Sequence, residues 1–380
     1  MVANTISRVS VLPVGPVNPV LARRGFLPAQ DPAQSFPPGS ELSILDEVGR
    51  DLPQRLEHSE FRRCLRELRI PDWPEDHLRE ETLPELRLYY VRVGFLASAY
   101  INQVSQPPVD VLPRNLAIPL CKACELLGRP PILSYDGYAL YNWKRLDPNG
   151  PIALGNIDTL QNFVPLYDEH WFILVHVEIE AIAADILEAI DRAARARNHG
   201  DAEQVTGALR DIARSVWKQV DVLRRIPEKM DPALYYRTFR PYIRFFENVI
   251  YEGVAHSPMS FRGETGAQSS IMPTLIAFMK IRHCQSVLTD HLADMRRFMP
   301  LEHRQLIADI EALPSMRDIA DPLVHNDVLE AMATFREVHY GWAQEYINRR
   351  VQDPRGTGGT PYMTWLRQLI DETRDHKLPA

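Results

Sequence analysis

The chain has 380 residues, 45% of them hydrophobic and 24% charged, the balance of an ordinary soluble globular protein with room for two domains or one large one. Lys and Arg number 43 against 50 Asp and Glu, a net charge of −7, so electrostatics gives no reason to expect nucleic acid or an anionic membrane as partner. Four cysteines make no disulfide framework, and such a count fits the cytoplasm.

Residues 1–45 read as a proline-rich arm. Pro13, Pro16 and Pro19 interrupt "VLPVGPVNPVLARRGF", which therefore resembles neither a signal peptide nor a membrane span. Residues 46–160 are expected to form a smaller domain. Helical patterns dominate its first part: "SILDEVGRDLPQRL", "FRRCLRELRI", "ELRLYYVRVGFLASAYINQ" and "NLAIPLCKACELL". Cys121 and Cys124 fall in the last of these and read as two ordinary helix thiols, since no second pair at zinc spacing follows. Pro, Gly and Asn recur at short intervals through 129–167, where we expect turns and a short strand or two.

Residues 161–380 are expected to form a large all-α domain. "DEHWFILVHVEIEAIAADILEAIDRAARA" is apolar round most of its girth and should be a central buried helix. "AEQVTGALRDIARSVWKQVDVLRRI" follows. "DPALYYRTFRPYIRFFENVI" opens on Asp231 as N-cap with Pro232 at the first helical position. After a glycine-containing segment come "IMPTLIAFMKIRHC", three further helices, a glycine-rich loop "RGTGGT" and one last helix. The expected fold is mainly α: a large helical bundle with a smaller mixed, mostly helical N-terminal domain.

Two histidines stand in the wrong company. Val328, Met332, Phe335, Trp342 and Tyr346 form one helical stripe, interrupted by His339. Phe172, Ile179, Ala183 and Ile186 form another, interrupted by His176. One such imidazole is usually a satisfied core residue. Two of them, on the two most apolar helices of one bundle, point to a buried site. A single His without carboxylates at metal spacing does not suit bare zinc or a di-iron centre. It suits haem, whose axial imidazole leaves the opposite face open for dioxygen.

"FRGETGAQSSIM", "MRRFMPLEHR", "TFREVHYGW" and "RGTGGTPYM" resemble, in order and context, the indoleamine 2,3-dioxygenase family. "VLPRNLAIPLCKACELLGRPPILSYDGYALYNWKRLDP" resembles that family's small domain. The resemblance covers about 50–375 and implies an enzyme with haem b that inserts dioxygen across the C2–C3 bond of the tryptophan indole. It implies His339 as proximal iron ligand, with Arg336, Thr265 and Gly263 about the cofactor. Arg240 matches the arginine that holds the substrate carboxylate, and Tyr235, Tyr236, Phe172, Tyr135 and Gly266 match residues of the substrate pocket. Thr357 falls on the family's loop that closes over substrate.

In this sequence His176 stands where some members carry serine, and a neutral imidazole there is able to accept the indole N–H. Ile276 replaces an acidic residue often found after the "QSS" motif. The partners implied are L-tryptophan or a related indole, dioxygen and an electron donor that keeps the haem ferrous, in a monomer or homodimer. A haem enzyme for a modified indole, and a gas-binding haem protein without turnover, remain as alternatives.

Overall fold

The computed structural model describes residues 23–74, 78–104, 106–285, 287–350 and 362–379. Short helices α1 (Ile44–Arg50), α2 (Leu52–Arg55) and α3 (Phe61–Glu67) precede α4 (Leu83–Ile101). From Leu88 to Ile101 every residue of α4 is buried, so this helix has no polar face and forms the axis of the smaller lobe. The cation within that buried stretch, Arg92, is answered by Asp46 and by the Gln161 side chain, at 3.1 and 2.6 Å.

Strand β1 (Val111–Leu112) leads into α5 (Arg114–Leu126), and β2 (Trp143–Arg145) pairs antiparallel with β3 (Ile157–Thr159). Both cysteines of α5 are free thiols whose pKa is pushed up to about 12, chiefly by burial. They are inert helix thiols.

Helix α6 (Tyr167–Asn198) is the wall between two hydrophobic cores. Ile173, Leu174 and Val177 face the core built mainly from residues 27–163. Trp171, Val175, Ile179 and Ala183 face a second core made with the later helices. A helix apolar round its girth is what such a shared wall requires. Helix α7 (Ala202–Arg224), capped by Asp201, packs along α6 on one side and along α11 (Pro322–Tyr346) on the other. Helices α6 and α11 do not pack along each other.

Between α7 and α11 run α8 (Ile271–Met279), α9 (Val287–Arg296) and α10 (Leu301–Glu311); α12 (Tyr362–Arg374) packs on α11. Ile276 packs at the edge of the second core.

One expected helix is cut short. Asp231 does cap it, accepting from the Ala233 and Leu234 amides at 2.7 and 2.9 Å. The turn Pro232–Leu234 then widens into a π turn over Tyr235–Phe239 and stops. Pro241 has no N–H to donate and its ring disfavours a helix through the preceding turn. The run "FENVIY", rich in aromatic and β-branched residues, becomes β4 (Phe246–Tyr251) instead. It pairs parallel with β1 and antiparallel with β5 (Met259–Phe261).

Part of the proline-rich lead-in packs inside the fold. Phe26 is buried in the second core, its ring 5.0 Å from that of His303. Gly25 (φ +62°) lies so close to α6 that a Cβ there would sit 2.0 Å from the Glu180 carbonyl oxygen. Among the described residues no helix is long and apolar enough to cross a membrane.

Candidate active site

Helices α6 and α11 share α7 as a neighbour without packing along each other; His176 sits on the first and His339 on the second. His339 is reachable by solvent although it sits in mid-helix on α11. Yet desolvation, with a smaller push from His176, lowers its pKa to about 4. The ring is thus reachable by solvent while neighbouring atoms crowd it closely enough to disfavour its charged form. The influence of His176 shows that the two imidazoles lie within electrostatic reach of each other. Among the described residues no protein group hydrogen-bonds the His339 ring, and no group of three His, Cys, Asp or Glu side chains could hold a bare metal ion. The site offers one neutral imidazole with a free lone pair.

His176 is differently tied. Its Nδ1 lies 2.7 Å from the Phe172 carbonyl oxygen. A carbonyl only accepts, so Nδ1 carries the proton and Nε2 carries the lone pair. Burial lowers the His176 pKa, partly offset by that hydrogen bond, and the ring is neutral at pH 7. One turn away on α6, Phe172 stacks obliquely on it at 4.6 Å between centroids.

The aromatic residues expected in the pocket do converge. Phe172 lies 5.5 Å from Tyr235, and Tyr135 meets His176 edge-on at 5.9 Å. Tyr235 is buried and bridges α6 to α11, meeting Tyr346 edge-on at 5.8 Å. Tyr236 is half-buried and carries the Arg240 guanidinium 5.2 Å above its ring. The three arginines of this segment part company: Arg240 is buried, Arg244 half-buried and Arg237 exposed. Phe239, fully buried 6.0 Å from Phe172, completes the wall and was not anticipated.

Gly263 and Gly266 act in different ways. A Cβ on Gly263 would fall 2.4–2.5 Å from the backbone of residues 243–245. The close approach it permits is therefore to the chain beyond Arg240, and not to open space. A Cβ on Gly266 would meet nothing within 4 Å, as expected of a residue lining a hollow. Thr265 spends its hydroxyl on capping the short turn 266–268, where it accepts from the Ala267 amide at 3.4 Å. Thr357 lies outside the described residues.

Arg336 is buried on the same helix as His339, and burial lowers its pKa to about 10. Its Nη1 donates to the Leu369 carbonyl at 2.9 Å and to the Thr373 hydroxyl, both on α12. Among the described residues no carboxylate ion-pairs with it. The charge of Glu372, also on α12, partly offsets the effect of that burial.

Three buried carboxyl groups were missed by sequence reasoning. Glu180, four residues beyond His176 on α6, accepts at Oε1 from the Tyr135 hydroxyl at 2.7 Å and the Ser269 hydroxyl at 2.6 Å. Its Oε2 is buried without a partner among the described residues, and desolvation pushes its pKa up to about 7. Glu169 accepts from Tyr138 and two backbone amides, and burial raises it to about 7. Glu264, next to Gly263, is raised to about 8 by burial. A Glu on the His176 stripe was a readable signal for the first. Nothing local marks the others.

One accessible neutral imidazole, a facing imidazole of fixed tautomer, an apolar bed and two buried guanidinium groups are the fittings for a planar macrocycle with anionic arms. The class of protein, an oxidoreductase of mainly helical fold, is given by the comparisons. The family model described as indoleamine 2,3-dioxygenase matches residues 19–353. Indoleamine 2,3-dioxygenase 1 of Rattus norvegicus is 32% identical over 86% of this chain and 87% of its own. Indoleamine 2,3-dioxygenase of Saccharomyces cerevisiae is 28% identical over 86% of each chain. A 6-hydroxytryptophan 2,3-dioxygenase of Fusarium equiseti is 26% identical over 85% of this chain and 82% of its own. The chain belongs to the indoleamine 2,3-dioxygenase family.

Proposed function

We propose that the protein is a haem-dependent dioxygenase that adds both atoms of dioxygen across the C2–C3 bond of L-tryptophan, giving N-formylkynurenine. The observation that carries this reading is the pair of imidazoles, His339 accessible in mid-helix on α11 and His176 held in one tautomer on α6, on helices that share α7 without packing along each other. His339 would ligate the iron, and Arg336 would face the anionic edge of the macrocycle. Haem b, when bound and kept ferrous by an external electron donor, supplies dioxygen activation.

This chain's residues bind and orient. Arg240, buried and braced by Tyr236, presents a fork that fits the substrate carboxylate. Phe172, Tyr235 and Tyr135 bed the indole. The lone pair on His176 Nε2 accepts the indole N–H and fixes which edge of the ring meets dioxygen. No side chain has to hand a proton to the product, because the overall reaction keeps every atom of both substrates. Positioning in a dry cleft is the protein's contribution. A ring-substituted tryptophan is served by the same parts, as the name of the Fusarium relative indicates for that enzyme.

The test is an absorption spectrum of reduced, haem-loaded protein with and without L-tryptophan, followed by admission of air. A substrate-induced shift and the appearance of N-formylkynurenine are expected. His339→Ala should abolish tight haem binding while leaving the helical circular dichroism intact. Full haem loading of that variant, or no product from loaded wild type, would refute the reading.

A further inference from the structure

Glu180 is an expensive residue for its place. It is fully buried on α6, one turn beyond His176. Oε1 takes two donors, the Tyr135 hydroxyl at 2.7 Å and the Ser269 hydroxyl at 2.6 Å. Oε2 is buried with no partner among the described residues. A carboxyl group with one oxygen idle costs more to bury than an apolar side chain of similar shape. Stability alone therefore does not account for an acid here.

Tyr135 is the donor that leads to the cleft. It packs in the first core, yet residues later in the chain hold it at two points. Its backbone N–H donates to Gln268 Oε1 at 3.0 Å, and Gln268 Nε2 donates in turn to the Gly263 carbonyl at 2.9 Å. Its hydroxyl is held by Glu180. Between these tethers the phenol ring meets the His176 ring edge-on at 5.9 Å. The one hydrogen bond on His176, from Nδ1 to the Phe172 carbonyl, leaves an imidazole able to swing about it. Two ring contacts, with Phe172 at 4.6 Å and with Tyr135, limit that swing.

We propose that Glu180 is a positioning residue: by holding the Tyr135 hydroxyl it keeps the phenol ring against His176, and so fixes the direction in which Nε2 presents its lone pair to the indole N–H. The inference rests on the function proposed above and adds the support behind its acceptor. A carboxyl group accepts from Tyr135 at Oε1 in either protonation state, so the role needs an acceptor rather than a charge. Glutamine supplies one and leucine does not.

The test compares Glu180→Gln, Glu180→Leu and Tyr135→Phe, the last of which keeps the aromatic ring and loses only the hydroxyl. Ferrous haem-loaded protein is titrated with L-tryptophan and with N1-methyltryptophan, and the ratio of the two dissociation constants reads the bond to the indole N–H. Tyr135→Phe and Glu180→Leu should lower that ratio about three- to ten-fold. Glu180→Gln should restore most of it, and in a His176→Phe background none of the three should move it further. A merely structural role would lower Tm and leave the ratio alone.

A second arm needs no substrate. In histidine-15N NMR of the diamagnetic ferrous carbon monoxide complex, the His176 signals are assigned by their loss in His176→Phe. Wild type and Glu180→Gln should show one sharp unprotonated Nε2, with exchange broadening in Tyr135→Phe and Glu180→Leu. Absence of any tryptophan-induced absorbance shift would sink the proposed reaction, while the NMR arm still judges Glu180. A ratio or a His176 signal unmoved in Tyr135→Phe, or a loss in Glu180→Gln as large as in Glu180→Leu, overturns the inference.

Discussion

His176 offers the sharpest test of how the cleft orients its substrate. Its Nδ1 proton is committed to the Phe172 carbonyl at 2.7 Å, so Nε2 is the only acceptor the ring has left. His176→Phe keeps a flat ring and removes that acceptor. A net neutral hydrogen bond is worth about 1 kcal/mol, and a buried N–H left unpaired costs about 1–3 kcal/mol. Tryptophan affinity should therefore fall roughly five- to 150-fold. Methylating the indole nitrogen removes the other partner. The two changes should not add: N1-methyltryptophan should bind wild type and His176→Phe with nearly equal loss, a coupling of about 1 kcal/mol or more.

The assay is a titration of reduced protein with each ligand, followed by the haem absorbance. Acidity supplies a second arm. Burial holds the His176 pKa below 6.5, so affinity should be flat above that pH. It should decline as pH falls through the depressed pKa, when the added proton takes the Nε2 lone pair. His176→Phe should lack this decline. Additive losses in the cycle, or an acid limb that survives in His176→Phe, would show that the indole nitrogen is held elsewhere.

Arg240→Lys keeps the charge and loses the fork; tryptophan affinity should drop about ten- to a hundred-fold, with tryptamine, which has no carboxylate, indifferent to the change, and equal losses for both ligands would deny the carboxylate contact. Gly263→Ala forces a Cβ to within 2.4–2.5 Å of the backbone at 243–245, which should cost about 1–3 kcal/mol and appear as a lower Tm; an unchanged Tm contradicts the packing described. Glu169, Glu180 and Glu264 have pKa values raised from 4.5 to about 7, 7 and 8. Their contribution to stability is fully present below 4.5 and is lost as pH rises through 7–8. Urea unfolding between pH 5 and 7 should show Glu264→Gln flattening the decline by about 1.4 kcal/mol per pH unit; an unaltered slope would mean this carboxyl is not buried as described.

The sequence makes the long helices legible because their signal is local. The stripes through His176 and His339 are read from spacing alone, and the girth of α6 foretells its place between two cores. Arg240 could be told from Arg237 by the face it shares with Tyr236 and Ile243, and its burial follows that distinction. The strand at 246–251 was hidden because a helical pattern runs up to Pro241 and its partners lie far off in the chain, at 111–112 and 259–261. Glu264 was hidden for a related reason. Its burial depends on Gly263 meeting the backbone of 243–245, a contact no local window contains.

The same division explains how the cleft handles charge. Its two imidazoles are neutral at pH 7, and its three acids are held near or above neutrality by burial. Its two guanidinium groups are buried near the ends of the arrangement, Arg336 turned toward α12 and Arg240 laid on Tyr236. On the proposed reading these cations meet the carboxylates of cofactor and substrate, so fixed charge sits where charged ligands arrive. The middle is left neutral for a reaction that needs no net proton transfer.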